Sequence, residues 1–400
     1  MKEKVVFSML KPLSVLALAI GLTACGDSSW WAKDEPTLKQ EQLKRLLPNR
    51  VSDRESWSKD IYDISEQFGI PQTKENMCSI IAVVDQESNF HADPEVAGLG
   101  AKAVKEVQER LEEKFTDKLG DTIGTPIAAY FQDVLKNQPS PEDNYLSQMR
   151  RVKTERQLDE LYREIFDYMS KHYHVSALTG AAKLVGQDIG EKMNPITTLG
   201  SMQVHIGYAK EHKRQSGSIA DLRTDLYSQY GGLYYGIHRL MMYSAKYDKP
   251  IYRFADYNSG RYSSRNAAFQ SMLNDLTTAE LDLDGDLLLY NKDGNAKSTQ
   301  SQSERELINV FAKNNVLVTP RQIRSDLKKE KDKDFEDTAT YRAISKLYKE
   351  ATNKEPIYAM MPEVVITGPK LSRDYNTNWF ASRVNGRFET CMRKAKNIKI

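Results

Sequence analysis

Apolar residues recur at intervals of three and four along most of this chain, the spacing of helices with one buried face. In RESWSKDIYDISEQFGIP the stripe is Trp57, Ile61, Ile64 and Phe68, ended by Gly69 and Pro71. Thr73 then offers an N-cap to TKENMCSIIAVVDQESNF, where Met77, Ile80, Ile81, Val84 and Glu87 share a face. From Ala101 to about His172 the chain is charged and helical, with stripes Val104–Val107–Leu111–Phe115 and Leu158–Leu161–Ile165–Met169. QPSPED, around Pro139 to Asp143, interrupts that run. The C-terminal part is Lys- and Glu-rich helix closing on two β-prone pieces, PEVVITGP and NWFASRVNGRF. The pattern predicts a mainly α-helical fold without internal repeats.

Glu87 is the residue that this pattern leaves unexplained. A carboxylic acid on an apolar stripe is costly to ionise, and the negative end of the helix dipole adds to that cost. Such surroundings suit a proton donor working near neutral pH. They equally suit a carboxylate paired with an arginine or capping a neighbouring helix, so periodicity alone leaves both roles open.

The N-terminus reads separately. Lys2, Lys4 and Lys11 surround or precede the apolar PLSVLALAIGL, too short to span a bilayer as a helix, and Leu22-Thr23-Ala24-Cys25 follows. This segment resembles the signal and lipobox of bacterial lipoproteins. The resemblance implies removal of residues 1–24, acylation of Cys25 and, with Gly26 next, residence in the outer membrane facing the periplasm. The whole chain is 40% hydrophobic and 28% charged, with a formal net charge of +2. Loss of residues 1–24 removes three Lys and one Glu, leaving the two signs balanced. A balanced chain lacks the basic footprint of a nucleic-acid binder. With Cys25 lipidated, Cys78 and Cys391 remain, an even number in an oxidising compartment, either bridged or two buried thiols. Six scattered histidines and no zinc-like spacing imply no metal and no cofactor.

Three short motifs bear on Glu87. Glu87-Ser88-x-Phe90, Gly200-Ser201-Met202-Gln203 and Tyr257-Asn258-Ser259-Gly260, in that order, resemble the ordered motifs of the lytic transglycosylases. Those enzymes share a lysozyme-like fold with goose-type lysozymes. Gly232-Leu233-Tyr234-Tyr235-Gly236 resembles the family stretch between the second and third motifs, and the FGIP lead-in is similar too. This chain departs from the pattern in two ways. Far more residues separate Glu87 from Gly200 than in typical members, read as a helical insertion over about 94–195. Asp256 stands where an alanine is common.

The resemblance implies peptidoglycan glycan strands as substrate. Glu87 would protonate the oxygen between N-acetylmuramic acid and N-acetylglucosamine, then as a carboxylate take the proton from the muramyl C6 hydroxyl. That oxygen closes on C1 and yields a 1,6-anhydro end without water, so one acid serves both steps. Substrate contacts would come from Ser88, Met202, Gln203, Tyr234, Tyr257 and Asn258, with Tyr257 also orienting the acid. Each has a structural alternative: a buried amide for Gln203, core packing for Met202 and Tyr257, turn chemistry for Asn258. Phe90 is expected to pack. A hydrolytic muramidase would need a second carboxylate about 5–9 Å from Glu87. Asp256 is the candidate, because Asp85 points elsewhere on the helix. A non-catalytic wall-binding or assembly lipoprotein on the same fold is the other alternative.

The expected organisation is a signal at 1–24, a lipidated tether at 25–52, a lysozyme-like domain at 53–275 and a smaller C-terminal α+β region at 276–400. Asp282, Asp284, Asp286 and Asp293 fall at calcium-loop offsets, but Leu287 occupies the glycine position. A hairpin turning at Asp284-Gly285 fits better. KKEKDKDFED, Lys328 to Asp337, reads as a solvated face or loop.

Overall fold

The computed structural model describes residues 35–172, 190–191, 193–291, 294–366 and 375–400. The expected signal, Cys25 and Asp293 lie outside the described residues. Helix α1 (Gln40–Leu46) opens the described chain. Its Leu43 and Leu46, with the flanking Leu38 and Leu47, are buried. The tether expected over 25–52 is therefore already folded from Leu38, because these leucines cover α2 (Arg54–Gln67).

Helix α3 (Lys74–Glu87) begins where the sequence predicts: the Thr73 hydroxyl accepts the Asn76 N–H at 3.2 Å. Every residue from Met77 to Asp85 is buried, so α3 is surrounded rather than one-faced. The expected insertion is α4 (Leu99–Leu119), α5 (Asp121–Asn137), α6 (Tyr145–Arg151) and α7 (Glu155–His172), which pack on one another. Both predicted stripes are buried. Phe131 joins them, 5.6 Å from Phe115 and 5.3 Å from Phe166 between ring centres.

Beyond the insertion, β1 (Thr198–Leu199) and β2 (Val204–His205) form an antiparallel hairpin pairing Leu199 with Val204. Helices α8 (Ile206–Glu211), α9 (Ile219–Leu226), α10 (Gln229–Met241) and α11 (Pro250–Ser259) follow. A buried ion pair ties α7 to α9: Arg223 Nη1 lies 2.7 Å from Asp159 Oδ1. Arg163 at 3.2 Å and the Asn194 amide at 2.6 Å complete the shell around that carboxylate. Two guanidinium groups beside one carboxylate are what make this buried charge tolerable.

A second core is built from α12 (Ser263–Asn274), α13 (Gln302–Lys313), α14 (Pro320–Leu327), a 3₁₀ turn (Lys333–Asp337) and α15 (Ala339–Thr352). Strands β3 (Val365–Ile366) and β4 (Tyr375–Asn376) pair before α16 (Thr377–Lys396). NWFASRVNGRF is thus helical, not β. Asn376 caps it, accepting the Trp379 N–H at 2.8 Å, and Phe380, Val384, Cys391 and Ala395 form its buried stripe.

Helix α16 packs on α3 and α11, and Cys391 is disulfide-bonded to Cys78 across 313 residues. The division expected at 276 therefore moves. Phe269, Met272 and Leu273 of α12 already belong to the second core, while α16 returns to the first. Asp284-Gly285 is a bend without flanking strands, held by the Gln270 amide, which donates to Asp284 Oδ1 at 2.8 Å and accepts from Gly285 N–H at 2.8 Å. The charged run is largely exposed, as expected, but Glu330 and Phe335 are buried and anchor it.

Candidate active site

Glu87 is the last residue of α3 and is half-buried. The chain leaves it through Asn89 and Phe90, both in the left-handed region at φ 50° and 63°. Phe90 packs edge-on against Trp57 with ring centres 5.3 Å apart, as expected of a core residue. This sharp exit holds the carboxyl at the helix end.

The Gly-Ser-Met-Gln segment is the turn of the β1–β2 hairpin. Gly200 has φ +76°, and a Cβ there would lie 2.2 Å from the Leu226 carbonyl oxygen, so only glycine fits. Met202 is fully buried against α10; a Cβ on Gly236 would meet its Sδ at 2.3 Å. The Met202 side chain is therefore a core contact and not a substrate contact. Its backbone carbonyl accepts the Tyr257 hydroxyl at 2.7 Å.

Tyr257, Asn258 and Ser259 form the last turn of α11 rather than a loop. Burial pushes the Tyr257 phenol above its ordinary range; the Arg239 guanidinium opposes this and the negative charge of Glu87 adds to it. The hairpin turn and the end of α11 thus meet at one phenol, within electrostatic reach of Glu87. Arg239 donates to the Tyr257 carbonyl at 2.8 and 3.2 Å and lies over its ring, fixing the helix end.

Residues 50–394 match the family described as Protein of unknown function (DUF1615). The chain belongs to that family. A relative from Escherichia coli (strain K12), "Uncharacterized protein YaiW", is 32% identical over 397 residues, covering 97% of this chain and 100% of its own. No solved structure matches. The DUF1615 match takes in α3 to α7 and α16 as far as residue 394, so both disulfide cysteines fall within the family's span.

The remaining predicted residues divide. Gln203, at φ 50°, is half-buried, and its amide donates to Glu155 Oε2 at 3.2 Å and accepts from Thr198 at 3.0 Å. Glu155 starts α7, so the insertion touches the turn directly. Asn258 is half-buried and accepts from Thr377 Oγ1 at 3.4 Å. Ser88 is buried, and its hydroxyl donates to the Val84 carbonyl of its own helix at 3.2 Å; it caps α3 and does not face a ligand.

Tyr234 packs on Phe68, with ring centres 4.7 Å apart. It is the outer end of a strip that sequence reading missed. Phe68 touches His238, whose Nδ1 is 2.6 Å from the Tyr208 hydroxyl, and Arg239 and Arg261 lie over the Tyr208 ring. His212 stacks on Tyr208 at 4.3 Å. Burial, with His212 and Arg261, lowers His238 to about 4, so it is neutral near pH 7. The i,i+4 pairs Tyr208–His212 and Tyr234–His238 were the available signal, a polar-aromatic ladder on adjoining helices.

Asp256 does not serve as a partner acid. It is buried and accepts from Tyr243 at 3.1 Å, from the Tyr262 and Ser264 N–H groups at 2.9 and 2.8 Å, and from Ser263 at 3.1 Å. That carboxylate anchors the start of α12. Asp85 likewise turns from Glu87 to Arg50 and Arg387. Among the described residues no group of three or more His, Cys, Asp or Glu is placed to hold a metal ion, and no helix is long and apolar enough to cross a membrane.

Proposed function

We propose that this protein is a lytic transglycosylase of lysozyme-like fold, lipid-anchored through Cys25 in the outer membrane and acting on peptidoglycan glycan strands in the periplasm. The observation that carries this reading is the convergence on Tyr257 of motifs far apart in sequence: Glu87 acts on its phenol electrostatically, and its hydroxyl bonds the Gly-Ser-Met-Gln turn. In this reading Glu87 is general acid and then base, with the muramyl C6 hydroxyl as nucleophile, so a second carboxylate is not needed. The engagement of Asp256 by α12 speaks against the hydrolase alternative, which needs a free acid or base opposite Glu87. The half-buried aromatic and cationic strip of Tyr208, His238 and Tyr234 with Arg239 and Arg261 offers ring faces and donors of the kind sugars use.

A second reading is favoured by Gln203. Its amide is occupied by Glu155, Thr198 and the Gly200 carbonyl, which fits a wall-binding lipoprotein that lacks turnover. Product analysis separates the two. A soluble form beginning at Ser28 and its Glu87→Gln variant are incubated with purified sacculi, and the released muropeptides are weighed. The expected products are one water lighter than hydrolysis gives and are absent with the variant. Reducing-end products would mean a muramidase; sacculus binding without any product from either form would mean a binding protein.

A further inference from the structure

A groove of about 700 Å³ runs between the α1–α2 connection, α3 and α16, on the face of α3 that carries Asp85. Arg50, Arg383, Arg387 and Lys394 line it, against Asp85 as the single acidic lining residue. Asp85 pairs with Arg50 and lies 3.2 Å from Arg387 Nε. Among the described residues Lys394 donates to the Leu47 carbonyl, at 3.3 Å, and Arg383 rests over Trp379, 5.2 Å from its ring centre.

Four positive charges share one carboxylate, Asp85, and the fold holds them together. Arg50 comes from the start of the chain and the other three from its last helix, and Cys391, also in the wall, is bridged to Cys78 of α3. Burial lowers Arg387, Asp85 opposes this, and Arg383 and Arg50 lower it further. Lys394 is lowered by burial and by Arg54 and Arg50. Adjacent to the groove, Arg54 has a buried Nε without a hydrogen-bond partner. Crowded cations that weaken one another gain most from an anion placed among them. Planar guanidinium forks match carboxylate and phosphate oxygens in pairs. The groove is concave and within the size range of small-ligand sites, unlike the flat basic face that a membrane surface selects.

We infer that this groove binds a small soluble polyanion carrying two or more carboxylate or phosphate groups, at a site separate from Glu87. Its ligand is held by Arg383, Arg387 and Lys394 on the α16 wall and by Arg50 on the other.

Calorimetric titration of the whole soluble chain with inorganic pyrophosphate and with citrate, at low salt, tests this. Vesicles of phosphatidylglycerol form a parallel arm. The expected result is saturable binding of at least one soluble anion, weakened about tenfold by Arg383→Gln or by Lys394→Gln, the weight of one charge-assisted contact. Lys396→Gln, an exposed cation of the same helix outside the groove, and Glu87→Gln leave binding unchanged. Arg383 is exposed, so its variant is expected to fold, and unchanged thermal unfolding without ligand checks this. Absence of binding by both soluble anions, equal weakening by Lys396→Gln, or binding to vesicles alone would overturn the assignment. Loss of glycan cleavage in Glu87→Gln bears only on the transglycosylase reading, so the two fail separately.

Discussion

The Tyr257 hydroxyl bonds the Met202 carbonyl, and that bond links the end of α11 directly to the hairpin turn. Replacing the hydroxyl with hydrogen leaves a buried carbonyl short of a donor, which costs about 1–2 kcal/mol. Tyr257→Phe is therefore expected to lower the denaturant midpoint modestly. Under the proposed chemistry it also reduces anhydro-product release, but less than Glu87→Gln does, because the acid itself remains. Equal loss in both variants would make the phenol part of proton transfer rather than a support. At this scale Glu87 was legible because a carboxyl on an apolar stripe breaks the pattern of its helix. Ser88 and Met202 were not, because their types fit either role. A serine at a helix end turns to its own backbone as readily as to a sugar, and only the close approach allowed by Gly236 shows that Met202 is enclosed.

Among the elements, the segment from Leu327 to Lys333 carries the clearest pH dependence. Glu330 is buried in the second core, accepting the Leu287 N–H at 2.5 Å and the Tyr290 hydroxyl. Burial raises its carboxyl to about 8, against 4.5 in an unfolded chain. Between those values the folded protein holds a proton that the unfolded chain has released, so stability falls as pH rises, by at most about 1.4 kcal/mol per unit. Glu330→Gln mimics the protonated acid and should flatten that slope, read by denaturant unfolding at intervals from pH 5 to 8.5. A slope unchanged in the variant would assign the dependence to another group. Sequence reading placed this glutamate in a solvated run because five of its neighbours are lysines or aspartates, and composition averages over the one inward position. The same averaging hid α16: NWFASRVNGRF has β-prone residues, but its buried stripe at helical spacing and the Asn376 cap outweigh local propensity. The stripes of α2, α4 and α7 were read correctly because each is long and strongly periodic.

For the molecule as a whole, the order of elements along the chain and the order of packing differ. The chain leaves the first core at α12, builds the second, and comes back with α16 between α3 and α11. No local pattern announces such a return; it is visible only in the pairing of Cys78 with Cys391, which the sequence left open between a bridge and two thiols. Closing a 313-residue separation restricts the unfolded chain strongly, by about 4–6 kcal/mol on loop entropy alone. The native contacts of α16 do not depend on the bond, since Phe380, Ala381, Val384 and Ala395 are all buried. A Cys78→Ala/Cys391→Ala variant is therefore expected to fold with α16 in place, to lose about 2–5 kcal/mol from the first core, and to leave the second core unaffected. Hydrogen exchange resolved by segment checks this: protection should fall in α3, α11 and α16 but not in α13 to α15. Uniform loss across both cores would mean that they unfold as one unit through the largely buried α12. Because Arg383, Arg387 and Lys394 ride on α16, the variant also loosens the basic wall, and weaker pyrophosphate or citrate binding should accompany the lost protection.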